Sequence, residues 1–250
     1  MNAVILQGGF GENRYPLTYE APKALLKLGD KTILDHLVSK LEPLSAVRHV
    51  LITTDGPSFP DFQWWQMHSS YKKLIHIAHN NVFVPEKKSG VLKDLYLALG
   101  ARCLRTDDFL VFSGDIYFDF PIGHFLLPCL GHSSQVLVGI YDVKDTSLAS
   151  KYGVVLTDSH NRIRDFEAKP RSPKSTRVEA RVYYFPAASR LRLYEYLQID
   201  KRSPDRIGDF IAWLAKKDEV WAIELDGTWF HLGDTTDYEE ARRKLEYVRL

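Results

Sequence analysis

The chain has 250 residues, 45% of them hydrophobic, and a formal net charge of +1. That length and content can bury a sizeable core as one large domain or two small ones, and the near-neutral balance excludes the basic surface of a nucleic-acid binder. No apolar run approaches the roughly 20 residues of a membrane span, and a strand that starts at the second residue leaves no leader ahead of the fold, so the expectation is a soluble, cytoplasmic protein. Cys103 and Cys129, far apart and in apolar surroundings, read as buried free thiols rather than as a metal site or a catalytic pair.

In chain order, Val4–Leu6, His49–Thr53, Leu74–Ala78 and Phe109–Phe112 are short apolar or β-branched runs that predict strands, while Ile33–Leu41 and Val91–Leu104 carry helix-period apolar faces. The alternation predicts helices on both sides of a mainly parallel sheet. In such a sheet ligands bind beyond the carboxyl ends of the strands, and both the turn after Leu6 and the Gly114-Asp115 turn after Phe112 fall there. From Gln135 onward the strands shorten and turn signals multiply: Gln135–Tyr141, Gly153–Thr157, Ile163–Phe166 and Val178–Phe185. Helical patterns follow at Ala187–Leu197, Asp205–Lys216 and Thr236–Arg249. The adjacent Trp64 and Trp65 are either an exposed aromatic platform or a plug in a core or interface.

The opening stretch is the most specific. A buried strand ending at Leu6 runs into Gln7-Gly8-Gly9-Phe10-Gly11-Glu12-Asn13-Arg14-Tyr15-Pro16-Leu17-Thr18, followed by Pro22-Lys23. Glycines let backbone N–H groups close on phosphate oxygens, and Arg14 and Lys23 can neutralise a phosphate's charge. A Gly-x-Gly alone is more often a tight turn, and neither the Walker A loop nor the third glycine of the dinucleotide fingerprint is present. The whole segment, however, resembles the sugar-1-phosphate nucleotidyltransferases, whose opening reads L-A-A-G-x-G-T-R-L-x-P-L-T and then P-K-x-L-L. At the family's Thr-Arg-Leu this chain has Glu12-Asn13-Arg14, which sets the arginine one residue late. Either Arg14 swings in from there or the grip on the triphosphate is weaker.

Asp115, after an apolar strand and beside glycine, suits either Mg²⁺ held against phosphate oxygens or a turn that satisfies local backbone. The resemblance implies the metal ligand. Asp119 nearby reads as a helix cap or surface charge. Further along, Lys151-Tyr152-Gly153-Val154-Val155 is similar to the family's Y-G-V-V strand, and Phe166-Glu167-Ala168-Lys169-Pro170 resembles F-E-E-K-P, with Ala168 in place of the second glutamate. Val178-Glu179-Ala180-Arg181-Val182-Tyr183-Tyr184-Phe185 lines up with S-T-G-I-Y-x-F, with Arg181 at the glycine. Asp226-Gly227-Thr228-Trp229-Phe230-His231-Leu232-Gly233-Asp234 resembles D-G-x-W-x-D-I-G, with His231 at the family's second metal-binding aspartate. Arg181 would either fill space meant for a sugar ring or pair with an anionic group of another acceptor.

The resemblance implies a Rossmann-like three-layer α/β/α nucleotidyltransferase fold, a mixed, mainly parallel sheet with an inserted, partly antiparallel acceptor lobe. It implies one domain over 1–250, with a nucleotide-binding part at 1–134 and an acceptor-binding part at 135–250. The implied reaction couples an NTP to a phosphorylated small-molecule acceptor, a sugar 1-phosphate, and releases pyrophosphate. Lys23, Arg14 and Asp115 would carry the chemistry; Leu6, Gly8, Gly9, Gly11, Gly90, Asp94 and Gly114 would bind the nucleotide. Gly153, Glu167, Lys169, Arg181 and Tyr183 would bind the acceptor, and Asp115 and His231 would hold Mg²⁺. Neither nucleic acid nor membrane is an expected partner, and a homo-oligomer stays open. The alternative is a catalytically impaired relative that binds a nucleotide or sugar nucleotide for regulation, motivated by Asn13, Arg181 and His231.

Overall fold

The structure, a computed structural model, describes residues 1–7, 21–83, 90–100, 107–131, 134–199, 206–217 and 220–247. It is a mixed α/β fold with a mainly parallel central sheet and some antiparallel strands. The chain divides into two compact units, the first made of 1–89, 112–119 and 227–250, the second of 90–111 and 120–226. These units do not follow the halves 1–134 and 135–250. The segment from Gly90 belongs with the later residues and the segment from Gly227 with the earliest, because strand pairing and burial, rather than sequence order, decide membership.

The first unit opens with β1 (Asn2–Leu6), the short strands β2 (Lys27–Leu28) and β3 (Lys31–Thr32), α1 (Ile33–Leu41), β4 (His49–Thr54), α2 (Phe59–His68) and β5 (Leu74–His79). The second begins with α3 (Val91–Leu99), and the chain crosses back along β6 (Phe109–Ser113) to β7 (Ile116–Phe118) of the first. The second resumes with α4 (Ile122–Gly131), β8 (Val136–Asp142), the single turn α5 (Thr146–Ala149), β9 (Gly153–Thr157), β10 (Ile163–Ala168), β11 (Arg177–Phe185), α6 (Ser189–Ile199), α7 (Ile207–Ala215) and β12 (Val220–Glu224). β13 (Trp229–His231) and α8 (Thr235–Tyr247) complete the first.

In the first unit β1 lies parallel to β4, with Ala3 opposite Val50, and β4 parallel to β5, with His49 opposite Leu74. Every residue of β1 is buried, as expected of a parallel strand covered on both faces. α1 keeps its predicted bounds because Ile33, Leu34, Leu37, Val38 and Leu41 fall on one face, each contributing about 2 kcal/mol of burial. Its start is fixed by a capping box, Thr32 Oγ1 accepting from Asp35 N and Asp35 Oδ2 accepting from Thr32 N. Asp35 also accepts from Trp65 Nε1 at 3.0 Å and Tyr71 OH at 3.0 Å. The tryptophan pair therefore divides: Trp65 plugs the unit, while Trp64 is 61% exposed and stacks on His68.

In the second unit β8 pairs parallel with β12 and antiparallel with β11, and β9 pairs antiparallel with β10. The partly antiparallel arrangement expected after Gln135 is present. The β11–β8 register breaks after Glu179, which faces Ile140, and resumes at Tyr183, which faces Val138. Two extra residues on β11 make a bulge there, and Arg181 within it adopts φ 59°. The helix expected over Val91–Leu104 is described as far as Leu99, with Gly100 as its cap; 101–106, including Cys103, lie outside the described residues. Cys129 is buried and unpaired, and burial pushes its thiol up to about 12. Among the described residues no helix is long and apolar enough to cross a membrane.

Candidate active site

The first unit brings three sequence-distant segments to the end of β1. Gly114 N donates to Leu6 O at 2.8 Å, which joins the two turns that follow apolar strands. Gln7 N reaches back to Thr53 O at 3.3 Å. The side-chain amide of Gln7 lies on Gly114, where a Cβ would meet Gln7 Nε2 at 1.9 Å, so any side chain there would have to displace that amide. Gln7 Nε2 is buried and has no hydrogen-bond partner among the described residues. Gly8, Gly9, Gly11 and Arg14 lie outside the described residues.

Lys23 begins a short 3₁₀ turn closed by Leu25 N to Pro22 O at 2.8 Å. Its Nζ donates to Gly233 O at 3.1 Å, tying the opening motif to the closing one across 210 residues. β13 delivers the closing motif by pairing antiparallel with β7, Trp229 facing Phe118 and His231 facing Ile116. Leu232 N donates to Asp115 O at 2.7 Å. The imidazole of His231 lies across Gly233, whose absent Cβ would fall 2.3 Å from His231 Cε1. His231 Nε2 is 3.3 Å from Asp115 Oδ2, while Ser113 Oγ donates to Asp115 Oδ1 at 2.6 Å. Both side chains keep some exposure, 14% for His231 and 24% for Asp115. Behind them Leu28, Ile33, Tyr117, Leu232, Tyr238 and Ala241 form a buried cluster that fixes β13 and α8.

Lys23, Asp115, Gly114, Leu6 and His231 are thus brought together, with a cation, a carboxylate and an imidazole linked through the backbone of Gly233. Asp119 is exposed, as a surface charge would be, and its Oδ1 accepts from Thr228 N at 2.7 Å, which helps to hold the turn before β13. Among the described residues no group of three or more His, Cys, Asp or Glu side chains could hold a metal. A bound cation there would therefore draw the rest of its ligands from elsewhere.

Gly90, Asp94 and the five acceptor candidates belong to the second unit. Gly90, at φ 86°, precedes α3 and accepts from Asp94 N at 3.0 Å, and Asp94 is buried. Gly153 faces Ala168 across the β9–β10 pair, and Lys169 N donates to Tyr152 O at 2.9 Å. The Glu167 carboxylate is taken by Lys174 at 2.5 Å, and Tyr183 is buried against Phe185. Beside Gly153 stands a residue the motifs do not mark: Glu179, its Oε2 2.8 Å from where a Gly153 Cβ would sit. Burial pushes the Glu179 carboxyl up to about 7, with Arg181 opposing the shift and Asp209 adding to it. Gln7 and Glu179 were findable only from the fold, since each gains meaning from a glycine on a distant segment.

A family model described as nucleotidyl transferase matches residues 2–247. A bifunctional GlmU protein from Methanocaldococcus jannaschii is 29% identical over 248 residues, covering 98% of this chain and 54% of its own length. A mannose-1-phosphate guanylyltransferase catalytic subunit beta from Danio rerio is 30% identical over 243 residues, 95% of this chain and 62% of that one. The chain thus spans a little over half the length of the curated relatives it matches. A crystal structure described as a glucose-1-phosphate thymidylyltransferase from Bacillus anthracis, in complex with a sucrose, superposes with a TM-score of 0.83 at 22% identity. It covers 98% of this chain and 94% of its own, a likeness of fold.

Proposed function

Because the chain belongs to the nucleotidyl transferase family, we propose that it couples an NTP to a sugar 1-phosphate and releases pyrophosphate. An acceptor phosphate oxygen attacks the α-phosphorus, a new P–O bond forms, and the bond from the α-phosphorus to the bridging oxygen breaks as pyrophosphate departs. No protein nucleophile is needed, so the chain contributes position and charge. The observation that carries this reading is the linked group of Lys23, Gly233, His231 and Asp115. Lys23 Nζ donates to Gly233 O, which fixes the ammonium where its charge can act on phosphate oxygens. Leu6, Gly8, Gly9, Gly11 and Gly114 are the first unit's candidates for the nucleotide and Gly90 and Asp94 the second unit's, and Arg14 would serve the triphosphate. Lys169 would meet the acceptor phosphate, with Gly153, Glu167, Arg181 and Tyr183 on the acceptor side.

The donor set fits a hard divalent cation on one side only. Mg²⁺ is commonly held by one or two carboxylates, with phosphate oxygens and waters completing an octahedron. Asp115 supplies such a carboxylate, and Ser113 and His231 hold its two oxygens. Imidazole nitrogen is a poor Mg²⁺ ligand, so His231 fits an orienting role beside Asp115 better than direct ligation. Bound there, Mg²⁺ would supply neutralisation of the charge that builds on the phosphates.

The test is pyrophosphate release over a panel of NTPs and sugar 1-phosphates, with and without Mg²⁺, for wild type and Asp115→Asn. Wild type should release pyrophosphate only with metal, and D115N should fold and lose at least about 100-fold in turnover. Full activity in D115N would remove Asp115 from the reaction. No release with any substrate pair would favour the regulatory alternative.

A further inference from the structure

The last strand of the first unit's sheet has an open side. Among the described residues β5 pairs with β4 alone, in an unbroken register from Leu74 to His79. Asn80 N donates to Thr54 O at 3.0 Å. Backbone groups of successive residues point to alternate sides of a strand, so those of His76 and Ala78 face β4, and those of Ile75, Ile77 and His79 face outward. Gln66 Nε2 donates to Ile75 O at 2.7 Å, as that phase requires. The amide and carbonyl of Ile77 and of His79, and the amide of Ile75, have no hydrogen-bond partner among the described residues.

Strand edges are ordinarily guarded by proline, lysine or a bulge. Leu74–His79 contains neither proline nor lysine, and Lys73, just before it, turns its Nζ onto Leu44 O at 2.9 Å and Val47 O at 2.7 Å. Beside the edge, α2 carries an apolar stripe on its outer face. Pro60, Trp64 and Met67 recur at helical spacing and are exposed, Met67 by 73%. Leu74, at the start of β5, is 55% exposed. Phe62 and Trp65 already bury the opposite face of α2, so this helix is apolar on two sides, the pattern of a helix covered on both. The bond from Gln66, the neighbour of Met67 in α2, brings the stripe beside the open edge.

We propose that this side of the first unit binds a second copy of the chain, the two β5 strands pairing antiparallel about a two-fold axis that passes between the two Ile77 residues. Ile77 N donates to Ile77 O of the second copy, and Ile75 N donates to His79 O of the second copy, each in both directions. Four hydrogen bonds form without disturbing Gln66. The axis is perpendicular to the sheet, so α2 and its copy lie on one face, side by side across the seam, where the stripe is covered. A lone foreign strand fits this surface less well, because it satisfies the backbone and leaves the stripe of α2 in water. Charge does not oppose the pairing: Asp61 is the one acidic residue of α2, and the whole chain carries a net charge of +1.

The experiment uses the full chain as wild type, Ile77→Pro and Met67→Glu, with thermal melts to establish that each is folded. Proline at 77 removes an outward N–H that β4 does not use, a change that an edge strand accommodates. Glutamate at 67 sets like charges on the facing helices and replaces an exposed side chain. Sedimentation velocity over a concentration series gives the self-association constant, and hydrogen exchange at low and high concentration gives the protection of the Ile75 and Ile77 amides. Wild type should dimerise, with those two amides protected at high concentration alone. Each variant should weaken association by at least about 10-fold. If I77P does not fold, M67E and the wild-type exchange pattern decide. Wild type that stays monomeric at every concentration overturns the two-fold pairing, as does a dimer indifferent to M67E whose Ile75 and Ile77 amides exchange at the monomer's rate. Protection of these amides only on adding an unrelated strand peptide would also overturn it, in favour of a peptide partner.

Discussion

Among the described residues Arg181 is one of five non-glycines with positive φ, and it sits at 59° inside the β11 bulge. For a residue with a Cβ, that conformation costs about 1 to 2 kcal/mol. R181G and R181A both delete the guanidinium, so comparing them isolates the backbone: R181G should be more stable than R181A by about 1 kcal/mol in urea melts. The reverse ranking would mean that the bulge is not strained. Glu179 allows a second comparison. Its carboxyl titrates near 4.5 in the unfolded chain and is raised to about 7 by burial in the fold, so folding favours the proton. The stability linked to it is complete below about pH 4.5 and is lost as the pH climbs through about 7. E179Q has no such proton to lose. Between about pH 5 and about pH 8 wild type should lose on the order of 2 kcal/mol relative to E179Q, and a gap that ignores pH would mean the carboxyl is solvated and ionised throughout. Lys23, Asp115 and His231 could be picked out of the sequence through the spacing of their motifs. Glu179 could not, because its setting depends on Gly153 and Gly208, which reach it from other elements.

Among the elements, α1 shows how much one acidic side chain can organise. Thr32 caps the helix, but Asp35 also anchors Trp65 and Tyr71. Thr32→Ala should cost about 1 kcal/mol, the ordinary loss of a cap. Asp35→Ala should cost about 2 to 3 kcal/mol, since it also leaves the Trp65 donor unpaired and Tyr71 OH with only the backbone carbonyl of residue 35. Equal losses would mean that the aromatic donors find other partners. Elements with a clean period, such as α1, β4 and β9, follow from the sequence nearly to the residue. α2 escaped because its apolar residues are scattered, only Phe62 and Trp65 being buried. α4 escaped for the opposite reason, being apolar almost all round with Pro128 inside it. β12 and β13 are five and three residues long and have little pattern of their own; pairing with β8 and β7 makes them strands.

Across the whole molecule, the chain leaves the first unit and returns to it twice. The cluster of Leu28, Ile33, Tyr117, Leu232, Tyr238 and Ala241 draws on all three visits. A chain ending at Asp226 would strip β13 from β7 and open that cluster. By hydrogen exchange, amides of β1 and β4 should lose much of their protection in this fragment while those of β8 and β11 keep theirs; equal loss in both would mean that the two units unfold together. The same arrangement bears on biosynthesis. Asp115 and His231 are 116 residues apart, and at ribosomal speeds the second follows the first by about 6 to 23 s. The strands β8 to β12 are therefore translated within that interval, while Asp115 waits without its partner. A nascent chain thus carries β8 to β12 before Lys23, Asp115, His231 and Gly233 can come together. The meeting of these side chains is thus a timed, late event of synthesis, and a chain stalled before Gly233 lacks it.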